Sequence, residues 1–170
     1  MFASAGNGTS GHLALEQFKA AAGIDVVHVP YKGGGPALTE LIGGQVQALF
    51  SIALVAMPQV KAGKIRALAI TSAKRSLVVP ELPTIAESGF PGFECVGWFG
   101  WLAPARMPAE IVTRFNREIV QLLTRPETRD RLLALGADPV ANSPREFAAF
   151  IRSENEKWGR VIRQAKIQTE

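Results

Sequence analysis

"FASAGNGTSGHLALEQFKAAAG", residues Phe2–Gly23, is the segment from which the rest of the chain can be interpreted. A short apolar run leads into a loop of small residues. A helical pattern follows, from about Gly11 to Ala22, with Ala14, Phe18 and Ala21 on one face and Gly23 as its C-terminal stop. Gly6, Gly8 and Gly11 spell G-x-G-x-x-G, a pattern associated with dinucleotides. A dinucleotide site also needs an acidic residue about twenty positions on, at the end of the next strand, to hold the ribose. That strand is "DVVHV" (Asp25–Val29), ended by Pro30, and its acid stands at the wrong end. Most of a second mononucleotide half is also lacking, and no Gly-Lys-Ser/Thr follows to make a Walker loop. No nucleotide or other cofactor is therefore expected.

The same unit repeats downstream. "YKGGGP" is a loop, with Pro36 suited to the first turn of a helix lined by Leu38, Leu41 and Ile42 and ended at Gly43-Gly44. "QVQALF" (Gln45–Phe50) predicts a strand, Ser51 an N-cap, and Ile52–Lys61 a helix closed by Gly63. "IRALAIT" (Ile65–Thr71) predicts a further buried strand. The order β-α-β-α-β-α-β implies an α/β fold with a parallel sheet. Pro80, Pro83 and Pro91 then punctuate an irregular connector.

Beyond it the style changes. "CVGWFGWLAP" (Cys95–Pro104) predicts an aromatic strand whose Trp98, Phe99 and Trp101 belong to a core or line a cleft. Pro108 opens a helix from Ala109 to Thr124 with Ile111, Phe115, Ile119, Leu122 and Leu123 on one face. Pro126 starts a short helix ending near Gly136. Ser143-Pro144-Arg145-Glu146 has the form of a capping box, and the last helix runs to about Gln164. The shift near Pro91–Cys95 divides the chain into residues 1–94 and 95–170.

Three of these junctions carry the candidate chemistry. Gly8, Thr9 and Ser10 lie where a strand's carboxyl end meets a helix N-terminus, whose first amides lack internal partners and whose dipole favours negative charge. Lys32 and Gly33 precede a second helix, and Ser51 a third. A parallel sheet gathers all three at one edge, where open α/β folds bind ligands. Small residues without an acid suit a carboxylate. A tight turn with an ordinary N-cap is the alternative reading of the first loop. Tyr31, the chain's one tyrosine, stands at a strand end, where its hydroxyl can face the cleft or a backbone group. His12 and His28 are the only histidines. With no G-x-S-x-G elbow and no evident acid to orient an imidazole, they read as structural rather than hydrolytic, although His12 stands beside the ligand loop.

The chain has 170 residues, 47% of them hydrophobic and 20% charged, enough to bury a core. Its net charge is +4, but the basic residues of 114–131 are interleaved with acids, which excludes a phosphate-tracking stripe and so nucleic acid. Cys95 is the single cysteine and reads as a buried structural thiol; no Cys/His cluster has metal-binding spacing. No signal-peptide pattern and no apolar run of membrane-spanning length is visible.

Together, "GNGTSGHLALEQFKAAAGIDVVHVPYKGGGPALTELIGGQV" (Gly6–Val46), "VKAGKIRALAITS" (Val60–Ser72), "LPTIAESGFPGFE" (Leu82–Glu94), "WFGWLAPARMPAEIV" (Trp98–Val112) and "FAAFIRSENEKWGRVIRQAKI" (Phe147–Ile167) resemble one family. It is that of the periplasmic solute receptors of tripartite tricarboxylate transporters, the Bug or TctC family. The resemblance implies a two-domain Venus-flytrap fold of the type II periplasmic binding proteins, and a non-enzymatic receptor for small carboxylates that works with membrane transporter subunits. It implies ligand contacts from the loop of Gly8, Thr9 and Ser10, and a cleft flanked by Val29–Gly33 with Tyr31, Lys32 and Gly33; His12, next to that loop, is a candidate contact beside them. The family is longer at its N-terminus, which implies that residues 1–94 are the second domain and 95–170 the C-terminal segment of the first. Many relatives carry an aspartate where this chain has Ser51, which implies a ligand without a basic group. A shortened, non-binding paralogue that self-associates through the incomplete domain is the alternative expectation.

Overall fold

The computed structural model describes residues 1–165 and 167. β1 (Phe2–Ser4) is the central strand of a parallel sheet ordered β2-β1-β3, with β2 at His28–Pro30 and β3 at Ala48–Leu49. Phe2 pairs with His28 on one side and with Ala48 on the other. Successive strand residues face opposite sides. Ala3 therefore packs with Ala37 and Val46 beneath one helix layer, while Phe2 meets Phe50 on the other face.

Three helices follow the three strands: α1 (Ser10–Ala22), α2 (Gly34–Ile42) and α3 (Ala53–Lys61). α1 stops where Gly23 takes a left-handed conformation and returns its amide to the Lys19 carbonyl. On the α1 side, Ala14, Ile85, Phe93 and Cys95 form the core, joined by Phe18, Phe50, Phe90 and Trp158. Leu15 of α1 is fully buried, which contributes about 1.5–3 kcal/mol.

The connector from Ile65 to Glu94 is irregular, as its prolines predict, but it is pinned. Thr84 and Glu87 exchange backbone-to-side-chain bonds of 2.8 and 3.0 Å, and Arg75 reaches Glu87 at 3.0 Å. The expected strand Ile65–Thr71 does not form a ladder. Its one pairing is a parallel bridge from Ile70 to Thr84, because the segment beside it bends away after that residue. The expected β2 is likewise shorter: Asp25, Val26 and Val27 precede the ladder, and the Asp25 side chain stands in solvent near Lys19.

The second part is helical: α4 (Ala109–Leu123), α5 (Pro126–Ala134) and α6 (Pro144–Ala165). The capping box forms as its residues predict. Ser143 N and Oγ both donate to Glu146 Oε2, and Glu146 N donates to Ser143 Oγ at 3.2 Å. The expected aromatic strand Cys95–Pro104 is absent, and beyond Cys95 its side chains are not core: Phe99 is 86% and Trp101 65% exposed. Only Trp98 finds aromatic company, edge-on to Phe147 and Phe150 of α6. Among the described residues no strand lies beside the segment to pair with it, and extended chain without a ladder partner leaves its apolar side chains in solvent. α4 is strongly two-faced, yet none of its residues is buried. The segment 95–170 includes residues 166 and 168–170, which lie outside those described.

Candidate functional site

The carboxyl ends of β1, β2 and β3 deliver the starts of α1, α2 and α3 to one edge of the sheet. Backbone bonds tie the loops together: Tyr31 N donates to Ser4 O at 3.1 Å and Gly33 N to Ala5 O at 2.9 Å. Each glycine of G-x-G-x-x-G has a local cause. Gly6 (φ 140°) and Gly8 (φ 71°) turn the loop in conformations that side chains disfavour. Gly11 passes so close to β3 that a Cβ there would stand 2.5 Å from the Phe50 carbonyl oxygen.

Thr9 occupies the N-cap position of α1, but no side chain caps the helix. Its hydroxyl donates instead to Gly6 O at 2.7 Å. The alternative of an ordinary N-cap does not form: the loop's own carbonyl captures the threonine, and the first amides of α1 are left without a side-chain partner. The N-cap of α3 is Ile52 rather than Ser51, again without a side-chain cap, and the Ser51 hydroxyl is exposed and donates to Ile52 O at 3.3 Å. Gly33 is the N-cap of α2 at φ 110°, and Lys32 beside it is exposed and makes no ion pair among the described residues. Tyr31 packs its ring against the Ala3–Ala37–Val46 cluster.

The two histidines meet beneath the loop. Their rings stack at 3.9 Å with an interplanar angle of 12°. Gly8 N donates to His12 Nδ1 at 3.1 Å, so the neutral His12 ring carries its proton on Nε2, which lies 3.9 Å from Glu16 Oε1. His28 Nε2 lies 2.7 Å from Ser4 Oγ, which also bonds the amide and carbonyl of Gly6. Burial is the main cause that lowers both ring pKa values; His28, with His12 against it, falls to about 4. Ser4 is completely buried, so this Ser–His contact cannot reach a substrate. Sequence reading missed this cluster, although Glu16, one turn after His12, was a visible signal for an acid beside the ring.

Gly8 therefore directs its amide inward, His12 holds the loop from below, and the open groups at the edge are the first amides of α1, the Ser10 hydroxyl, and Lys32, Gly33 and Ser51. Next to them lies a cavity of about 320 Å³ lined by Ser10, Leu13, Ile52, Gly97, Trp98 and Trp158. Glu154 also faces it, with its carboxylate held by Trp158 Nε1 at 2.8 Å. An acid does therefore approach this edge, from α6. Cys95 supports the edge from behind: its buried thiol donates to Ser10 O at 3.4 Å, and burial pushes its pKa up to about 12.

Residues 1–167 match the family model described as the tripartite tricarboxylate transporter family receptor. A UPF0065 protein encoded between tcbD and tcbE in a Pseudomonas species is 38% identical over 98% of this chain and 50% of its own length. Another, encoded between clcB and clcD in Pseudomonas knackmussii, is 33% identical over 97% of this chain and 98% of its own. Among solved structures, an adipate-bound protein of R. palustris superposes with a TM-score of 0.87 at 36% identity, covering 98% of this chain and 56% of that one. MatC of Rhodopseudomonas palustris, with bound malate, gives 0.79 at 30% identity, covering 95% and 56%. Most of the curated relatives it matches are about twice as long as the chain. The fold is that of the periplasmic binding proteins, of which this chain carries part. The chain belongs to the tripartite tricarboxylate transporter family of receptors.

Proposed function

We propose that the chain is the ligand-binding portion of a periplasmic solute receptor that captures a small organic carboxylate for a tripartite tricarboxylate-type transporter. The observation that carries this reading is the start of α1. Its amides have no side-chain cap, and they open onto the same edge as the starts of α2 and α3. The adipate and malate in two similar structures support it, since both are dicarboxylates. In this reading residues 1–94 are one domain and 95–170 belong to the other. The amides of α1 and the Ser10 hydroxyl take one carboxylate. Lys32, Gly33 and Ser51 flank the second, and Gly8, Thr9, His12 and Tyr31 shape the loops that present them. No bond is made or broken, and a ligand without an amine fits Ser51 better than one that needs an acid there.

Titration calorimetry with adipate, malate and aspartate tests the reading. Adipate or malate binds, aspartate binds more weakly, and Ser10→Ala weakens binding about tenfold. Binding that appears only after the remaining half of a relative is joined upstream refutes this chain as a sufficient site. Turnover of an ester or a nicotinamide cofactor refutes the receptor itself.

The exposed apolar surface of Phe99, Trp101, Leu102 and Phe115 favours a further partner, which we take to be a second copy of the chain. Light scattering then gives a dimer, and a monomer at every concentration refutes this.

A further inference from the structure

We propose that His12 positions the Gly6–Thr9 loop and makes anion capture depend on proton concentration: it holds the loop only while its ring is neutral, and His28 stacks on it to keep it so. This inference rests on the carboxylate reading of the edge above.

The geometry is specific about which atom matters. Gly8 N–H can only donate, so His12 Nδ1 must accept. A proton on Nδ1 sets donor against donor and breaks that bond. Among the described residues no other side chain holds Gly8: the bonds from Ser4 and from the Thr9 hydroxyl go to Gly6, and the Thr9 carbonyl accepts from Leu13 N. His28 is not a second latch. Ser4 Oγ can accept hydrogen bonds from His28 Nε2–H and from Gly6 N–H while donating its own to Gly6 O, and that set survives protonation of His28. The role of His28 is to cover one face of His12 with a parallel ring at 3.9 Å and so help bury it; once His12 is charged, it in turn opposes a proton on His28. The other charged groups facing the pair lie on α1. Glu16 favours the protonated ring and Lys19 opposes it, and Lys19 is itself drawn to Glu16 at 3.1 Å and towards Asp25 at 3.8 Å. β1 contributes only the uncharged Ser4. Burial sets the balance and holds His12 below the ordinary histidine range, so the loop is latched at neutral pH and opens in acid.

Nuclear magnetic resonance of the whole ¹⁵N-labelled chain tests this without any ligand. Between about pH 7.5 and about pH 4.5 the Gly8 amide resonance moves with the same midpoint as the His12 ring nitrogens, and that midpoint lies below an ordinary histidine's. In His12→Asn the amide oxygen offers an acceptor that does not titrate, and the Gly8 transition disappears. A Gly8 amide that ignores the His12 titration in the native chain overturns the proposal, as does a transition that persists in His12→Asn. The native spectrum decides alone if that variant does not fold. Adipate is the second probe. Its affinity falls from about pH 7.5 to about pH 5 by about tenfold more in the native chain than in His12→Asn, which shares the titration of adipate itself. An equal fall in both overturns the coupling. If adipate binds neither at any pH, the carboxylate reading fails, and the Gly8 readout still decides whether His12 latches the loop.

Discussion

Gly11→Ala isolates the contact that brings α1 onto the edge of the sheet. Gly11 is the second residue of α1, and Gly35 is the second residue of α2. Alanine gains the same helical preference at both, at most about 1 kcal/mol. The surroundings differ. A methyl at Gly35 meets nothing within 4 Å, whereas one at Gly11 stands 2.5 Å from Phe50 O and 3.5 Å from Phe50 C. The first distance is roughly 1 Å inside ordinary contact, and its partner is backbone that cannot rotate aside. Overpacking of this kind costs about 1–3 kcal/mol. Because the preference term cancels between the two variants, that cost is their difference. In a chain of this length it separates their thermal midpoints by about 2–10 °C, with Gly35→Ala at or above the native value. Circular dichroism melts of the three proteins, side by side, measure it. Equal midpoints for the two variants would mean that α1 does not rest on the end of β3, and the convergence of the three helix starts would lose its anchor.

Three further outcomes follow from the same contacts. The folded-state pKa of His28, about 4, lies below the ordinary histidine value of 6.5, so its contribution to stability is complete above about pH 6.5 and is lost as pH falls towards about 4. Discounted for partial exposure, the loss is about 1–2 kcal/mol. It shows as a melting point that declines below about pH 6.5, starting above the range where Glu87 and Glu146 titrate, and His28→Gln makes the slope shallower and leaves the share that His12 contributes. Ser143→Ala strips the hydroxyl from the capping box of α6 and lowers the melting midpoint by about 2–4 °C; an unchanged melt would deny the box any weight. Cys95, buried and with its thiol pushed up to about 12, reacts with a disulfide reagent at about pH 8 at least about 100-fold more slowly folded than in denaturant. Equal rates would place the thiol in solvent.

What the sequence disclosed was mostly local. Gly23, Gly43-Gly44 and Gly63 end helices where their backbones need to turn, and Ser143–Glu146 is a cap whose partners are three residues apart. Cys95 reads as buried from its apolar neighbours alone. The failures are all questions of partnership. Ile65–Thr71 and Cys95–Pro104 have the composition of strands, but a strand is made by a neighbour, and the composition says nothing about whether one is present. The same limit hid the histidine pair. His12 and His28 meet only because β2 pairs with β1 in the register that sets His28 beside Phe2, and because α1 folds back across that face.

The glycine pattern shows where a motif stops carrying information. In a nucleotide-binding loop the first glycine makes the turn, the second admits the pyrophosphate to the backbone, and the third lets helix and strand approach. Here Gly6 turns beside Tyr31 O, and Gly11 meets Phe50 O. These are the same tasks, and both are demanded by any strand–loop–helix unit this tight. Only the second position differs. Gly8 presents its amide not to a ligand but to His12 Nδ1. Two of the three glycines therefore report the fold and carry no preference for what is bound. In the proposed carboxylate reading, selectivity comes from what surrounds them: no acid ends β2, a histidine holds Gly8 from below, and the first amides of α1 have no side-chain cap. No longer glycine pattern contains this, because the atom that takes the Gly8 amide lies on the ring of His12 in α1 and is covered by a histidine from β2.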